Sequence, residues 1–150
     1  MDVALAVITT TVVGLMVGVE LAVAVVVNPI LSRLPTEAGV VGRAHGARML
    51  GRAMPVWYVG SLVLVVTLGV SVWGTPASVA ALVGAALLAI SVVMSILLLV
   101  PINNQSLTWT PDDRPDDWRD QQRRWDALHS LRVAVIIVAF ALVGATASLL

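Results

Sequence analysis

Four long apolar runs, separated by shorter polar stretches, make up most of this chain. They cover residues 3–27, 56–72, 77–100 and 131–150. Each run is close to the ~20 residues that an α-helix needs to cross ~30 Å of hydrocarbon. None of them alternates apolar and polar residues with the period of two that is typical of an outer-membrane barrel. The pattern therefore predicts an all-α protein with a single four-transmembrane-helix domain over residues 1–150.

Proline lies at the borders of the apolar runs. Asn28-Pro29 follows the first run, Pro55 precedes the second, Trp73–Pro76 joins the second to the third, and Pro101 closes the third. Proline biases the residue before it away from the helical conformation. The sequence therefore predicts that helices end or begin at these positions.

The two long polar stretches, residues 28–55 and 101–130, are predicted to extend the membrane helices beyond the lipid. Thr36 suits the N-cap of a helix that runs up to Pro55. Pro115 suits the first position of a helix that leads into the fourth run, and Asp116 suits its first turn, where the helix dipole favours anions. We expect a four-helix bundle with helical extensions on one side of the membrane.

Composition supports the membrane assignment and excludes several kinds of chemistry. Hydrophobic residues make up 59% of the chain and charged residues 12%, with a mean hydropathy of +0.95; a soluble domain averages about 45–50% and about 25%. The zero net charge argues against nucleic acid as a partner. Because the chain has no cysteine, disulfides, thiolate nucleophiles and cysteine-ligated metals are excluded.

Arginine is concentrated in the two long polar stretches, and the short turn and both termini have none. These arginines are Arg33, Arg43, Arg48, Arg52, Arg114, Arg119, Arg123 and Arg124. Short loops rich in arginine stay on the cytoplasmic side of a membrane. We therefore predict an integral protein of a bacterial plasma membrane, with both long loops in the cytoplasm and both termini outside.

Glu20 is the one charged residue within the first apolar run. It lies eight residues before Asn28, about 12 Å along a helix. An ionisable group at that depth is costly unless it is paired or protonated, and it usually marks a functional site. The structural alternative is an ion pair with Arg52 or Arg132.

A polar stripe leads into the fourth run. Its members are spaced by four, three, four and three residues, so they share one helical face: Trp118, Gln122, Trp125, His129 and Arg132. Asp126, three residues before His129, can reach its imidazole. An interfacial aromatic belt with an arginine reaching the headgroups explains part of the stripe, but it explains less well a histidine beside an aspartate.

Three further features complete the candidate chemistry. His45, Arg48 and Arg52 share a helical face, and Asn104 follows the third run. A pocket of Glu20, Asn104, His129 and Arg132 at the cytoplasmic end would suit a flat, apolar molecule with polar edges. Gly14 and Gly18 form a G-x-x-x-G pair that permits close helix approach, within the bundle or in a homo-oligomer.

Several of these motifs together resemble one family. A first span that ends in Asn-Pro, the Pro-x-Asn-Asn that ends at Asn104, and a Trp-x-x-x-His-x-x-Arg at Trp125, His129 and Arg132 resemble the anthrone oxygenases. These belong to a family of small four-helix membrane proteins long filed as a domain of unknown function. The resemblance covers nearly the whole chain and, by position, implicates Asn104, Trp125, His129 and Arg132.

The resemblance implies an oxidoreductase, a monooxygenase that oxidises a polycyclic anthrone-like phenol with molecular oxygen. The anion of such a carbon acid can react with oxygen directly, so the protein needs a base and a cation near the oxyanion. His129, oriented by Asp126, is the candidate base, Glu20 is the alternative base, and Arg132 is the candidate oxyanion partner. Trp118 and Arg52 are further candidate substrate contacts, with Asn104 and Trp125.

Cofactor use and the class of function stay open at this point. The enzyme can need no cofactor, or it can hold iron or copper through His45, His129 and a carboxylate of Glu20 or Asp126; a haem would use both histidines. No G-x-G-x-x-G motif indicates a dinucleotide site. The alternative to an enzyme is a non-enzymatic membrane protein, either an accessory subunit of a larger complex or a small proton-coupled carrier that uses Glu20.

Overall fold

Four long helices form the fold in a computed structural model that describes residues 2–150. Two of them, α1 and α3, contain a widened π-helical turn. The segments in chain order are α1, with Asp2–Ala22, the π-turn Val23–Val27 and Asn28–Arg33; α2, Thr36–Ser71; α3, with Pro76–Met94, the π-turn Ser95–Leu99 and Val100–Ser106; and α4, Trp118–Ser148. The predicted all-α, four-span architecture is confirmed.

The helices pack as a ring in which α1 and α3 each contact both α2 and α4. Each helix contributes fully buried side chains to the centre, for example Met16, Val65, Leu88 and Ile136. Large aliphatic side chains on the outer surface, such as Leu15, are exposed. A helix that is apolar on all faces fits a lipid surround. The four apolar helices fit an integral membrane protein.

Proline does not end α1 or α3, so that prediction is wrong. Helix α1 continues past Pro29, and the N–H of Asn28 bonds the carbonyl of Val23, five residues back. Helix α3 repeats the arrangement before Pro101. Proline lacks an N–H and its ring collides with the carbonyl four residues earlier. A turn with one extra residue relieves both problems.

The helical extensions are confirmed, with small changes at their ends. Helix α2 starts at Thr36 with Pro35 as its N-cap, and it continues through Pro55. Helix α4 starts at Trp118, after Asp117. Residues 34–35 and 107–117 connect helices at the same end of the bundle, here called the loop end. The arginine bias predicts that this end is cytoplasmic.

Candidate functional site

Three ionisable side chains from two helices meet inside the bundle. On α4, Arg132 Nη2 lies 2.5 Å from Glu20 Oε2 of α1 and 3.1 Å from His129 Nδ1. Arg132 Nη1 donates to Ser95 Oγ at 2.7 Å, and Ser95 is the first residue of the π-turn in α3. We call Glu20, His129 and Arg132 the buried triad. It connects α1, α3 and α4.

The contacts of His129 define where its proton lies. A guanidinium group only donates hydrogen bonds, so Nδ1 of His129 accepts from Arg132. The ring proton is then on Nε2, which donates to the backbone carbonyl of Glu20 at 3.3 Å. The imidazole is neutral in this arrangement. Its Nδ1 also lies 3.5 Å from Glu20 Oε2, close enough for the carboxylate to stabilise an imidazolium.

The three side chains of the buried triad are almost inaccessible to solvent. Glu20 is 3% exposed, His129 1% and Arg132 8%. Spacing of three residues puts His129 and Arg132 on one face of α4, which is the face turned towards α1. An isolated charge in such surroundings is very unfavourable, so the pairing of Glu20 with Arg132 is what allows both to be charged.

Tyr58 and Ser95 belong to this centre, and the sequence did not single them out. Tyr58 of α2 is 4% exposed, and the Arg132 guanidinium lies 5.3 Å from the centre of its ring. Neither the Tyr58 hydroxyl nor Arg132 Nε has a hydrogen-bond partner among residues 2–150. The available signal was that Tyr58 is the only tyrosine of the chain and lies in an apolar run.

A cavity of about 330 Å³ lies between the helices towards the loop end, with the triad in its wall. Its lining is mostly aliphatic and includes Met54 and Leu99. Trp125 also lines it and stacks on His129, with ring centres 4.8 Å apart and an angle of 11° between the planes. A cavity of this size and lining suits a small, mainly apolar ligand.

Asp126 does not contact the imidazole, so its predicted role in orienting His129 is wrong. Its two carboxylate oxygens accept from Arg43 of α2, at 2.8 and 2.9 Å. A guanidinium fork fits both oxygens of a carboxylate at once. This competing partner could not be inferred from spacing along α4 alone.

Three other predicted substrate contacts lie outside the cavity. Asn104 is exposed, and its neighbour Asn103 lines the cavity instead. Trp118 packs against Trp109 near the loop end. Arg52 is exposed on the outer side of α2 and is absent from the cavity lining. The structure brings together Glu20, Trp125, His129 and Arg132 of the predicted set, but not these three.

The residues considered as ligands of a metal or a haem do not lie close together. His45 is exposed and its Nδ1 faces the Val41 carbonyl at 3.2 Å, whereas His129 is buried. No group of three histidine, cysteine, aspartate or glutamate side chains that could hold a metal occurs within residues 2–150. Glu20 and His129 both contact the Arg132 guanidinium, whose charge opposes a second cation there. The proposed iron, copper and bis-histidine haem sites therefore do not fit.

The two glycines of the G-x-x-x-G pair have different surroundings. A Cβ on Gly14 would lie 3.0 Å from the ring of Phe140 in α4, so Gly14 allows close packing within the bundle. Gly18 is exposed and a Cβ there would meet nothing within 4 Å. Only Gly18 is therefore open to a second copy of the chain, and oligomer formation through this pair stays a prediction.

The family model of the anthrone oxygenases matches residues 48–142. The matched region contains Tyr58, Trp125, His129 and Arg132, whereas Glu20 lies before it. No curated protein and no solved structure matches the chain.

Proposed function

Since this chain belongs to the anthrone oxygenase family, we propose that it is a membrane oxidoreductase that oxidises an anthrone or similar polycyclic phenol to a quinone with molecular oxygen. The observation that carries the proposal is the buried triad in the wall of an apolar cavity. A base and a fixed cation next to an apolar chamber are what the deprotonation of such a carbon acid requires. The family supports oxygenase chemistry, and the cavity supports a flat apolar substrate.

The reaction balances without any further redox partner. Loss of a proton from the methylene carbon of the anthrone gives an enolate, whose electrons reduce oxygen. A carbon–oxygen bond forms at that carbon, the resulting hydroperoxide takes up the proton, and loss of water leaves the second carbonyl. One anthrone and one molecule of oxygen give one anthraquinone and one molecule of water.

Each member of the triad has a role in this scheme. His129 is the base, because Nδ1 of the neutral ring carries the lone pair, which becomes free to take a proton when Arg132 Nη2 moves away from it. Glu20, 3.5 Å from that nitrogen, stabilises the imidazolium that forms. The same movement brings Arg132 Nη2 to the oxygen that becomes the enolate, while Ser95 holds Nη1 in place. Such preorganised charge stabilises the developing oxyanion more strongly in a dry site than in water.

The direct test is oxygen uptake by purified protein with an anthrone, followed together with the absorbance of the quinone product. We expect the rate to exceed spontaneous autoxidation and to fall about 10²–10⁴-fold in His129→Ala, as for removal of a general base. His45→Ala is the matched control, because it removes an exposed histidine that does not line the cavity. Unchanged turnover in His129→Ala would refute the proposed base. No uptake by the wild type would favour a non-enzymatic accessory subunit or carrier.

The membrane setting is part of the proposal. The loop end, which contains the long polar connections and the cavity, faces the cytoplasm of a bacterial cell, as the arginine bias predicts. An apolar substrate dissolved in lipid or delivered from the cytoplasm then reaches the same site. Cysteine accessibility labelling at Arg114→Cys and at Trp73→Cys, on opposite ends of the bundle, tests this orientation, since the chain has no cysteine of its own.

A further inference from the structure

The side chains that line the apolar cavity differ in their exposure. Met54 of α2 and Leu99 of α3 line it and are 8% and 2% exposed. Val59 of α2 and Ile96 of α3 also line it, yet they are 57% and 59% exposed. A side chain that borders a cavity and also lies on the outer surface of the bundle marks the edge of an opening. The cavity is therefore open to its surroundings on the side of α2 and α3.

The exposed lining residues of α2 and α3 form one stripe on each helix. Within a stripe the residues are four apart: Gly51, Pro55 and Val59 on α2, and Ile96 and Val100 on α3. Side chains four residues apart lie on the same face of a helix. Because α2 and α3 are neighbours in the ring, the two stripes form the two edges of one opening, here called the side gap. Val27 of α1 is the remaining exposed residue of the lining.

Side chains cover the cavity at the loop end. Arg43 lines the cavity there, and both carboxylate oxygens of Asp126 accept hydrogen bonds from its guanidinium. Trp109, from the connection between α3 and α4, also lines the cavity and packs against Trp118. A ligand that came from the loop end would have to displace such groups. A ligand that came through the side gap would leave all of these contacts in place.

The side gap faces the lipid. Val59 lies within the predicted span 56–72, and Ile96 lies within the predicted span 77–100. Exposed residues beside the stripes, such as Leu97, are aliphatic as well. Apolar molecules leave water for hydrocarbon, so in a membrane they are concentrated on the outer side of the gap. The gap therefore connects the cavity with the part of the membrane in which apolar molecules dissolve.

We propose that apolar ligands reach the cavity sideways from the bilayer, through the side gap between α2 and α3. This route rests on the shape of the cavity and not on the proposed oxidation, so it applies to any apolar ligand of the cavity. Glycine keeps the α2 edge of the gap open, because a Cβ on Gly51 would meet nothing within 4 Å. A large side chain in place of Gly51 or Val59 would narrow the gap.

The rate at which a buried cysteine is alkylated measures entry into the cavity. Leu99→Cys places a single thiol in the lining, since the chain has no cysteine of its own. The protein is held in bilayer discs, which leave both faces of the membrane open to water. Two maleimides with the same reactive group are compared. One carries a cyclohexyl group and dissolves in the bilayer, and the other carries a sulfonate and stays in water. We expect only the cyclohexyl reagent to alkylate the thiol of Leu99→Cys.

Tryptophan at the side gap is expected to slow this reaction. Gly51→Trp and Val59→Trp, each combined with Leu99→Cys, should lower the alkylation rate about tenfold, which adds ~1.4 kcal/mol to the barrier for entry. Gly60→Trp and Val63→Trp are the matched controls, because both residues are exposed on α2 and neither lines the cavity. Their rates should stay at the level of Leu99→Cys alone. Circular dichroism and thermal denaturation check that each variant is folded.

Equal alkylation by the sulfonated reagent would overturn the route, since it would mean entry from water. An unchanged rate in both gap variants, or the same slowing in both controls, would also overturn it. The assay contains no anthrone, so its result is separate from that of the proposed function. Entry through the gap in a protein that oxidises no anthrone would support the route and refute the oxygenase. Turnover that depends on His129, with no effect of either gap variant on alkylation, would do the reverse.

Discussion

Two arginine–carboxylate pairs join α4 to its neighbours, and their surroundings differ. Glu20 and Arg132 have side chains that are 4% and 10% exposed, in the wall of an apolar cavity. Arg43 and Asp126 are 11% and 30% exposed near the loop end, and Arg43 also bonds Ser32. The first pair contacts a neutral histidine and lies over a tyrosine ring. The second pair has further polar side chains beside it, such as Ser32 and Arg119.

The Arg43–Asp126 pair also lies between the apolar cavity and a second, polar pocket. Arg43 lines the apolar cavity and, together with Asp126 and Arg119, a polar pocket of about 260 Å³ at the loop end. A pair that borders a polar pocket loses little hydration, so its formation and its loss are both inexpensive. A pair in an apolar wall has no such alternative. We therefore assign chemistry to Glu20 and Arg132, and an architectural role to Arg43 and Asp126.

The largest effect is expected when one partner of the buried pair is removed. Arg132→Met leaves the Glu20 carboxylate buried and unpaired, which should lower the free energy of unfolding by about 3–5 kcal/mol. Glu20→Gln combined with Arg132→Met removes both charges and should recover much of that loss. Thermal denaturation in detergent measures both variants. If the single variant were as stable as the double variant, Glu20 and Arg132 would not depend on each other for stability.

These contrasts show what the sequence could and could not predict. Glu20, His129 and Arg132 were found because an ionisable residue in an apolar run needs a reason to be there. Ser95 was missed because serine is common in such a run, and Tyr58 was missed because an uncharged aromatic residue does not by itself indicate a site there. The choice of Asn104 over Asn103 failed because the helix continues through Pro101 after a π-turn, and one extra residue changes which side chain faces inwards. The predicted contact between Asp126 and His129 was wrong because Asp126 binds Arg43, which is on another helix.

The second-largest effect separates chemistry from stability. His129→Asn should reduce turnover about 10²–10⁴-fold, yet it should cost less stability than Arg132→Met because the ring is neutral and the Glu20–Arg132 pair stays intact. Oxygen uptake and thermal denaturation on the same sample give both quantities. If the His129→Asn protein were active but much less stable than Arg132→Met, His129 would have a structural role and not a catalytic one.

A smaller effect is expected at the loop-end pair. Asp126→Asn and Arg43→Gln should each lower the free energy of unfolding by about 1 kcal/mol, because partial exposure weakens the pair. The double variant should lose less than the sum, as expected for residues in direct contact. Turnover should change only a few-fold, since neither side chain touches the triad. A loss as large as that of His129→Asn would show that Asp126 acts on the imidazole after all.

The smallest effect is expected for the exposed residues of α2 that sequence reasoning had included. Arg52→Ala and His45→Ala should change stability by less than about 0.5 kcal/mol, because both side chains are exposed and neither lines the cavity. Turnover should stay at the wild-type level, measured by oxygen uptake at saturating substrate. A tenfold loss in Arg52→Ala would mean that the extension of α2 reaches the cavity when substrate is bound. Arg52 would then be grouped with Glu20 and Arg132 as a residue of the catalytic site, and the functional region would include the extension of α2.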